Sequence, residues 1–544
     1  MNDRLRTQLR QFRDETDTLI FGLSVAVTSL LIGVFWLFPD GATAGLNYAN
    51  EYVIQNLGWV YMVVVFSAVV FVLFLLFSPW GRIKLGTEET EPEFSFVQLF
   101  AMMFSAGMAV GLVFWGPTEA LVHYDTGPSL FSTESGTSEI MPQAVQYTFF
   151  HQGISPWATY LVFGIAIGYF SHRLGYPTRP ATMLAPLFGT DALDSLWAKL
   201  VDVAVVVISV GGITVSLGFG VVQFLAGADY AFGVGTGNLE TVLFTLGLTV
   251  VITLIAALPI SAGIQRVSDF NVVLFCLLLA AALVVAPLSF VFGLGSEAFA
   301  GYISDFFAMS FHTNFADDSA WVGGWTMFFW AWWLAFAPMI GIFIARISKG
   351  RTIREVILVG TVGPISAAFP WFATLGGSAL WIESTGQAEL TAIYNEHGVE
   401  AVGFALFEQL VPFSELFSLL FLLLVLTFLV TTVDSSIVSV AIQTVEGDHD
   451  QHPGTLNRII WGVLVGGLTS LLIVLNGLDA LESFVVIVGF PIAIMTVATM
   501  AGLALALERR YSLLSTPGET DTPVVETTSD STETRSGAAS SAED

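Results

Sequence analysis

The sequence predicts an all-α membrane protein of twelve transmembrane helices, on three observations. Of its residues 54% are hydrophobic and only 12% charged. Apolar runs long enough to cross a bilayer recur along almost the whole chain. Every lysine and arginine falls in a segment that a twelve-span chain would keep on the cytoplasmic side.

A window of about nineteen residues picks out spans near 19–39, 59–78, 97–117, 144–170, 197–226, 240–261, 268–293, 323–346, 354–382, 414–442, 458–478 and 482–507. The first follows Arg4, Arg6, Arg10 and Arg13, but Thr18 to Phe38 is of spanning length and lacks a small-residue cleavage site, so it is expected to be retained and not removed as a signal. With the N-terminus inside, the remaining basic residues fall at Arg82 and Lys84, at Arg173, Arg179 and Lys199, at Arg266, at Arg346, Lys349, Arg351 and Arg354, at Arg458, and at Arg509, Arg510 and Arg535. That accounts for all 18, and it places both termini in the cytoplasm. The six outer loops hold acids only, among them Glu51, Asp125, Glu134, Glu297, Asp317 and Glu396.

The formal net charge of −27 is spread over outer loops and both tails and is not gathered into one site, and no nucleic-acid partner is expected of it. Three lysines, Lys84, Lys199 and Lys349, stand against fifteen arginines, an acid-rich and lysine-poor surface of the kind that stays soluble in concentrated salt; a halophilic source is inferred. Cys276, inside an apolar run, is the only cysteine, so neither a disulfide framework nor a thiolate metal site can form. From about Ser512 the chain is rich in Ser, Thr, Glu and Asp, too polar to bury a core, and reads as a disordered tail.

Regular apolar helices offer a solute no polar surface at mid-membrane, so spans interrupted by small or polar residues mark a transport site. Three are interrupted. Ser105-Ala106-Gly107-Met108-Ala109-Val110-Gly111 in the third span can unwind, freeing carbonyls for a cation and amides for a carboxylate; Gly107 and Gly111 equally form a G-x-x-x-G packing spacing. Trp330-Ala331-Trp332-Trp333-Leu334-Ala335-Phe336 in the eighth span puts Trp332 about ten residues, roughly 15 Å, from either end of its helix, too deep for an interfacial anchor. Indole faces without a nearby acid suit a cation shielded by methyl groups, and they also serve as core packing. Trp157 and Tyr160 lie at i and i+3, on one face of the fourth span. Thr431-Thr432-Val433-Asp434-Ser435 in the tenth span supplies hydroxyl ligands for an alkali cation, or hydroxyls that bond back to the preceding helical turn.

With these runs, Ser78-Pro79-Trp80-Gly81-Arg82-Ile83-Lys84-Leu85-Gly86, Pro92-Glu93-Phe94-Ser95 and Ala345-Arg346-Ile347-Ser348-Lys349-Gly350-Arg351, the chain resembles the betaine/carnitine/choline transporter family over all but its tail. The resemblance implies a LeuT-like core of two inverted five-helix repeats preceded by two extra helices, a homotrimer embedded in membrane lipid, and no cofactor beyond a coupling sodium ion. The corresponding boundaries are an N-terminal segment 1–18, two extra helices in 19–95, a first repeat 96–294, an extracellular connecting helix 295–322, a second repeat 323–508 and a tail 509–544.

The family's aromatic box for a trimethylammonium head carries over to Trp157, Tyr160 and Trp333, with Trp330 and Trp332 nearby and Met108 and Gly111 facing the same solute. Two residues depart from the family pattern. Gln152 stands in His151-Gln152-Gly153 where a tryptophan is usual, and Phe336 closes the eighth-span cluster where Trp or Tyr is common. The box is thinner by one indole, and the Gln152 amide can bond a polar substrate. The family's sodium ligands match the carbonyls of Ser105, Met108 and Phe428 and the hydroxyls of Thr431 and Thr432; a second sodium site would involve Thr214 or Ser216. The resemblance therefore implies sodium-coupled import of a quaternary-ammonium osmolyte, glycine betaine foremost, with choline, carnitine, ectoine or a proton-coupled or exchange mode as alternatives. A membrane enzyme or sensor on the same scaffold is disfavoured, because it needs convergent ligands or bases and His123, His151, His172, His312, His397, His449 and His452 are mostly spread over different loops on opposite sides. His449 and His452, beside Asp448 and Asp450, read as a solvated turn.

Overall fold

A computed structural model describes residues 3–106, 110–235, 237–257, 261–314, 320–445 and 453–515. Among these residues the chain is helical throughout, with isolated bridges but no strand. Ten of the helices are long and apolar enough to cross a membrane.

Most spans lie within a few residues of their expected positions, because each is an uninterrupted apolar run with a recognisable stop. Thr18–Leu37 begins at Asp17, whose Oδ1 accepts from the amides of Leu19 and Ile20 at 3.0 Å each. Burial pushes the Asp17 carboxyl up, but the ammonium of Lys199 at 2.7 Å and those two amides outweigh it and hold it below its ordinary value. Ile353–Ser384 starts with a capping box between Thr352 and Glu355. Ser414–Ile442 has the bounds that the sequence predicts.

Other elements differ, each for a local reason. The third span is a helix Phe96–Ala106 followed by Val110–Trp115; the expected unwinding at Gly107 and Met108 lies outside the described residues. The fourth breaks at Gly153, between Met141–Gln152 and Ile154–Gly168, and the Ile154 amide freed there donates to Tyr302 Oη at 3.2 Å. Tyr302 belongs to Leu288–Ser304, which begins earlier than the connecting helix expected at 295, since Pro287 cannot continue the preceding Ser261–Val285. The eleventh and twelfth spans run together in Thr455–Ser515, with non-helical backbone at Asn476 and Gly477 marking the division.

Two contacts position the site. Phe328–Ile347 packs along the fourth-span helix with the chains parallel: Trp330 meets Phe150, Trp333 meets Trp157, and Gly341 meets Gly164. A β-carbon on Gly341 would stand 2.5 Å from Phe163 Cβ and 3.1 Å from the Gly164 nitrogen, so only glycine permits this approach. At the basic end of the molecule, Ile83 to Leu85 pair backbone to backbone with Gly350 to Ile353: Leu85 N donates to Arg351 O at 2.8 Å, Gly350 N to Leu85 O at 2.7 Å and Ile353 N to Ile83 O at 2.9 Å. Arg354 reaches back to the carbonyls of Leu76 and Ser78 at 2.8 and 3.0 Å, capping the end of Gly58–Phe77.

Candidate functional site

A cavity of about 350 Å³ lies between the third-, fourth-, eighth- and tenth-span helices, with Ser216, Ser268 and Asn271 closing further sides. It collects most of the residues singled out from sequence: Ser105, Gly111, Gln152, Tyr160, Trp332, Trp333, Phe336, Phe428, Thr431 and Thr432 all line it. Among the described residues, no acidic or basic side chain lines it. Towards the basic end of the molecule its wall continues through Ile340 and Phe343 and through Ser435 and Ser439, of which Ser435 is exposed.

The fourth- and eighth-span aromatics form one cluster. Trp157 and Tyr160 are 5.3 Å apart between ring centroids, Trp157 and Trp333 5.5 Å, and Tyr160 and Trp333 5.1 Å. Rings this close pack on one another, so a solute would meet only the surfaces that Tyr160 and Trp333 turn to the cavity, with Trp157 buttressing them from behind. Helical rotation takes the neighbouring tryptophans out of this cluster, Trp332 to another part of the cavity wall and Trp330 away from the cavity. Trp332 packs with Phe219 and Phe328 at 5.0 and 5.6 Å and lies against Gly111, where a β-carbon would stand 2.8 Å from the indole. Its buried Nε1 has no partner among the described residues. Trp330 is away from the cavity, fully buried against Phe150 at 5.1 Å and His151 at 5.8 Å.

On the opposite wall, Thr431 Oγ1 lies 3.0 Å from the Thr427 carbonyl and 3.1 Å from that of Phe428, the back-bonding expected of a helical threonine, and accepts from Asn271 Nδ2 at 3.1 Å. Asn271 was not legible as a site residue, because nothing in its own span sets it apart. Met108 lies outside the described residues. Of the two second-site candidates, Ser216 lines the cavity and Thr214 is buried with its hydroxyl unpartnered among the described residues.

The reading of the histidines as scattered needs correction. His123 and His151 come together on Glu119, all fully buried: His151 Nδ1 lies 2.7 Å and His123 Nε2 3.4 Å from Glu119 Oε1. A signal was present in Glu119 and His123, whose i, i+4 spacing shares one helical face; His151, 28 positions on from His123, joins them only because the fourth-span helix folds back.

Comparison with known proteins agrees with this architecture. The family model "BCCT, betaine/carnitine/choline family transporter" matches residues 19–512. A glycine betaine transporter of Bacillus subtilis is 33% identical over 497 residues, covering 90% of this chain and 95% of its own. An osmo-independent choline transporter of Acinetobacter baylyi is 31% identical over 93% of this chain and 94% of its own, and an ectoine/hydroxyectoine transporter of Virgibacillus pantothenticus 31% identical over 90% and 96%. A match across nearly every span, on a helical chain with an uncharged aromatic cavity, makes this multi-pass membrane protein a member of the betaine/carnitine/choline transporter family.

Proposed function

We propose that the protein imports a quaternary-ammonium compatible solute, glycine betaine foremost, by coupling to sodium, and that it does so as a twelve-span chain with both termini cytoplasmic. The observation that carries the substrate reading is the cavity lining: aromatic surface from Tyr160 and Trp333 at one wall, hydroxyls of Thr431, Thr432 and Ser436 at another, and no formal charge. Such a lining suits a solute whose own charges cancel. Its methylated head is attracted by ring faces that need no donor, and its carboxylate is met by the hydroxyls. A solute with a single net charge finds no side-chain counter-charge among the described lining residues. Gln152 on the same wall favours a second reading, a more polar zwitterion of the ectoine type.

Sodium coupling is supported by the convergence of the Ser105, Phe428, Thr431 and Thr432 positions on one cavity, since hard oxygens suit an alkali cation. The twelve-span reading is supported by counting the broken third span and by dividing the last helix at Asn476 and Gly477. A homotrimer and a halophilic source complete the reading, the first from family resemblance and the second from the surface charge.

The substrate reading is tested at Trp333. Cation–π attraction of roughly 0.5–2 kcal/mol means that Trp333→Leu weakens betaine binding about three- to thirty-fold, measured by tryptophan fluorescence or calorimetry on purified protein. Unchanged affinity in a folded variant moves the solute elsewhere.

Orientation is tested separately. In a Cys276→Ala background, cysteines replace exposed Gln387 and exposed Glu89, assigned to opposite sides. An impermeant thiol reagent applied to whole cells labels the Gln387 position and spares Glu89; the reverse pattern overturns the topology.

A further inference from the structure

We propose that Glu119, His123 and His151 form a binding site for one borderline divalent cation of the zinc class, one aromatic layer away from the solute cavity. The donor set is a carboxylate and two imidazoles, the combination that such ions select. One ligand atom from each residue lies within 4.8 Å of the others, and none of the three side chains is exposed. A tetrahedral site with bonds of about 2.0–2.2 Å needs its donors about 3.3–3.6 Å apart, so small side-chain rotations convert one spacing into the other.

Two independent features support a metal. The first is the support behind His151. Its Nδ1 faces Glu119, while its other nitrogen, Nε2, lies 3.0 Å from Thr326 Oγ1. A ligating histidine characteristically donates its far N–H to an outer acceptor, which fixes the tautomer and leaves the near nitrogen's lone pair for the ion. The ring is also held in plane against Phe329, at 4.7 Å and 26°. The second feature is charge. The ionic partners of Glu119 among the described residues are the two histidines, with no lysine or arginine; the Gln152 side chain adds a hydrogen bond but no charge, and Oε2 has no partner at ordinary hydrogen-bond geometry among the described residues. A carboxylate buried so completely is neutralised either by a proton or by a cation, and a divalent ion supplies both the charge and a use for the second oxygen.

The surroundings explain how the ion would be retained. His123 packs against Trp325 at 4.4 Å and Trp321 at 5.1 Å, and Phe329 separates His151 from the cavity that it lines. The ion enters as the helices assemble and then ties Glu119–Thr126 to Met141–Gln152.

The test uses the full chain, purified in detergent through an affinity tag without histidine. Incubated with micromolar Zn²⁺ and desalted, the wild type retains about one zinc per chain by elemental analysis, and Co²⁺ in its place gives tetrahedral ligand-field absorption. His123→Gln, or the near-isosteric Glu119→Gln, weakens binding by about 100-fold or more, since even an outer-sphere partner costs 10- to 100-fold. Simultaneous replacement of His172, His312 and His397 by Gln leaves it intact. Thermal unfolding followed with and without zinc gives a midpoint that rises in the wild type and is unchanged in Glu119→Gln. No retained ion in the wild type, as when Glu119 is satisfied by a proton instead, overturns the proposal, and so does retention that survives both cluster variants.

Discussion

Replacing Thr431 by Val and Thr432 by Ala together brings solute affinity in sodium down to its sodium-free value. On the proposed coupling, sodium and solute favour a common conformation, and typical coupling energies make each raise the other's affinity about 5- to 150-fold. That ratio falls to near one in the double variant, because two of the five proposed sodium oxygens are gone while side-chain volume is roughly kept. The sodium-free affinity itself barely moves, which distinguishes lost coupling from a damaged cavity. One neighbouring contact complicates the pair: Thr431 Oγ1 also accepts from Asn271 Nδ2 at 3.1 Å. Thr432→Ala alone leaves that contact in place and is expected to show most of the loss. Binding isotherms at several sodium concentrations decide the matter; full sodium stimulation in the double variant sinks the assignment and turns attention to buried Asp434.

Gly116→Ala is expected to destabilise the folded protein by about 2–6 kcal/mol. A β-carbon there would stand 2.0 Å from Trp371 Nε1 and 2.9 Å from the Leu112 carbonyl, and that same indole nitrogen donates to Leu112 O at 3.0 Å. The methyl therefore evicts a buried tryptophan. Overpacking costs about 1–3 kcal/mol, and stranding a buried N–H about 1–3 kcal/mol more. Trp371 is also stacked on Phe275 at 4.3 Å, which leaves it little freedom to yield. Gly467→Ala is the control, since its nearest neighbour would be 3.7 Å away; a helical alanine there is neutral or gains up to about 1 kcal/mol. Thermal unfolding in detergent measures both, and equal midpoints would contradict the packing argument.

The spans were legible because the bilayer requires long apolar runs, and the tenth span agrees to the residue. Boundaries set by a single backbone event were not: nothing short of geometry shows that Gly153 breaks the fourth span or that Tyr302 satisfies the amide freed there. Tyr160, Trp333 and the Thr431–Thr432 pair, singled out because aromatic and hydroxyl side chains at mid-membrane depth are unusual, line one cavity. Which of three adjacent tryptophans faces the cavity depends on helix rotation, and Trp330 turned out to pack on Phe150 and His151. The Glu119 cluster depended on a chain reversal, so two histidines that looked unrelated in sequence share a carboxylate.

The close approach of Gly164 and Gly341 has a bearing on how such a carrier discriminates between solutes. Each glycine receives the base of a side chain from the other helix, Phe163 against Gly341 and Ile344 against Gly164, so the two backbones sit close with little slack between them. Trp157 and Tyr160 on one and Trp333 on the other are then carried as a single piece, whichever face of the membrane the cavity opens to. Selectivity would be a fixed property of that piece and access a variable one, so substitutions at the seam should alter which solutes are accepted, while substitutions at the mouth near Ser435 and Ser439 should alter how fast any of them passes.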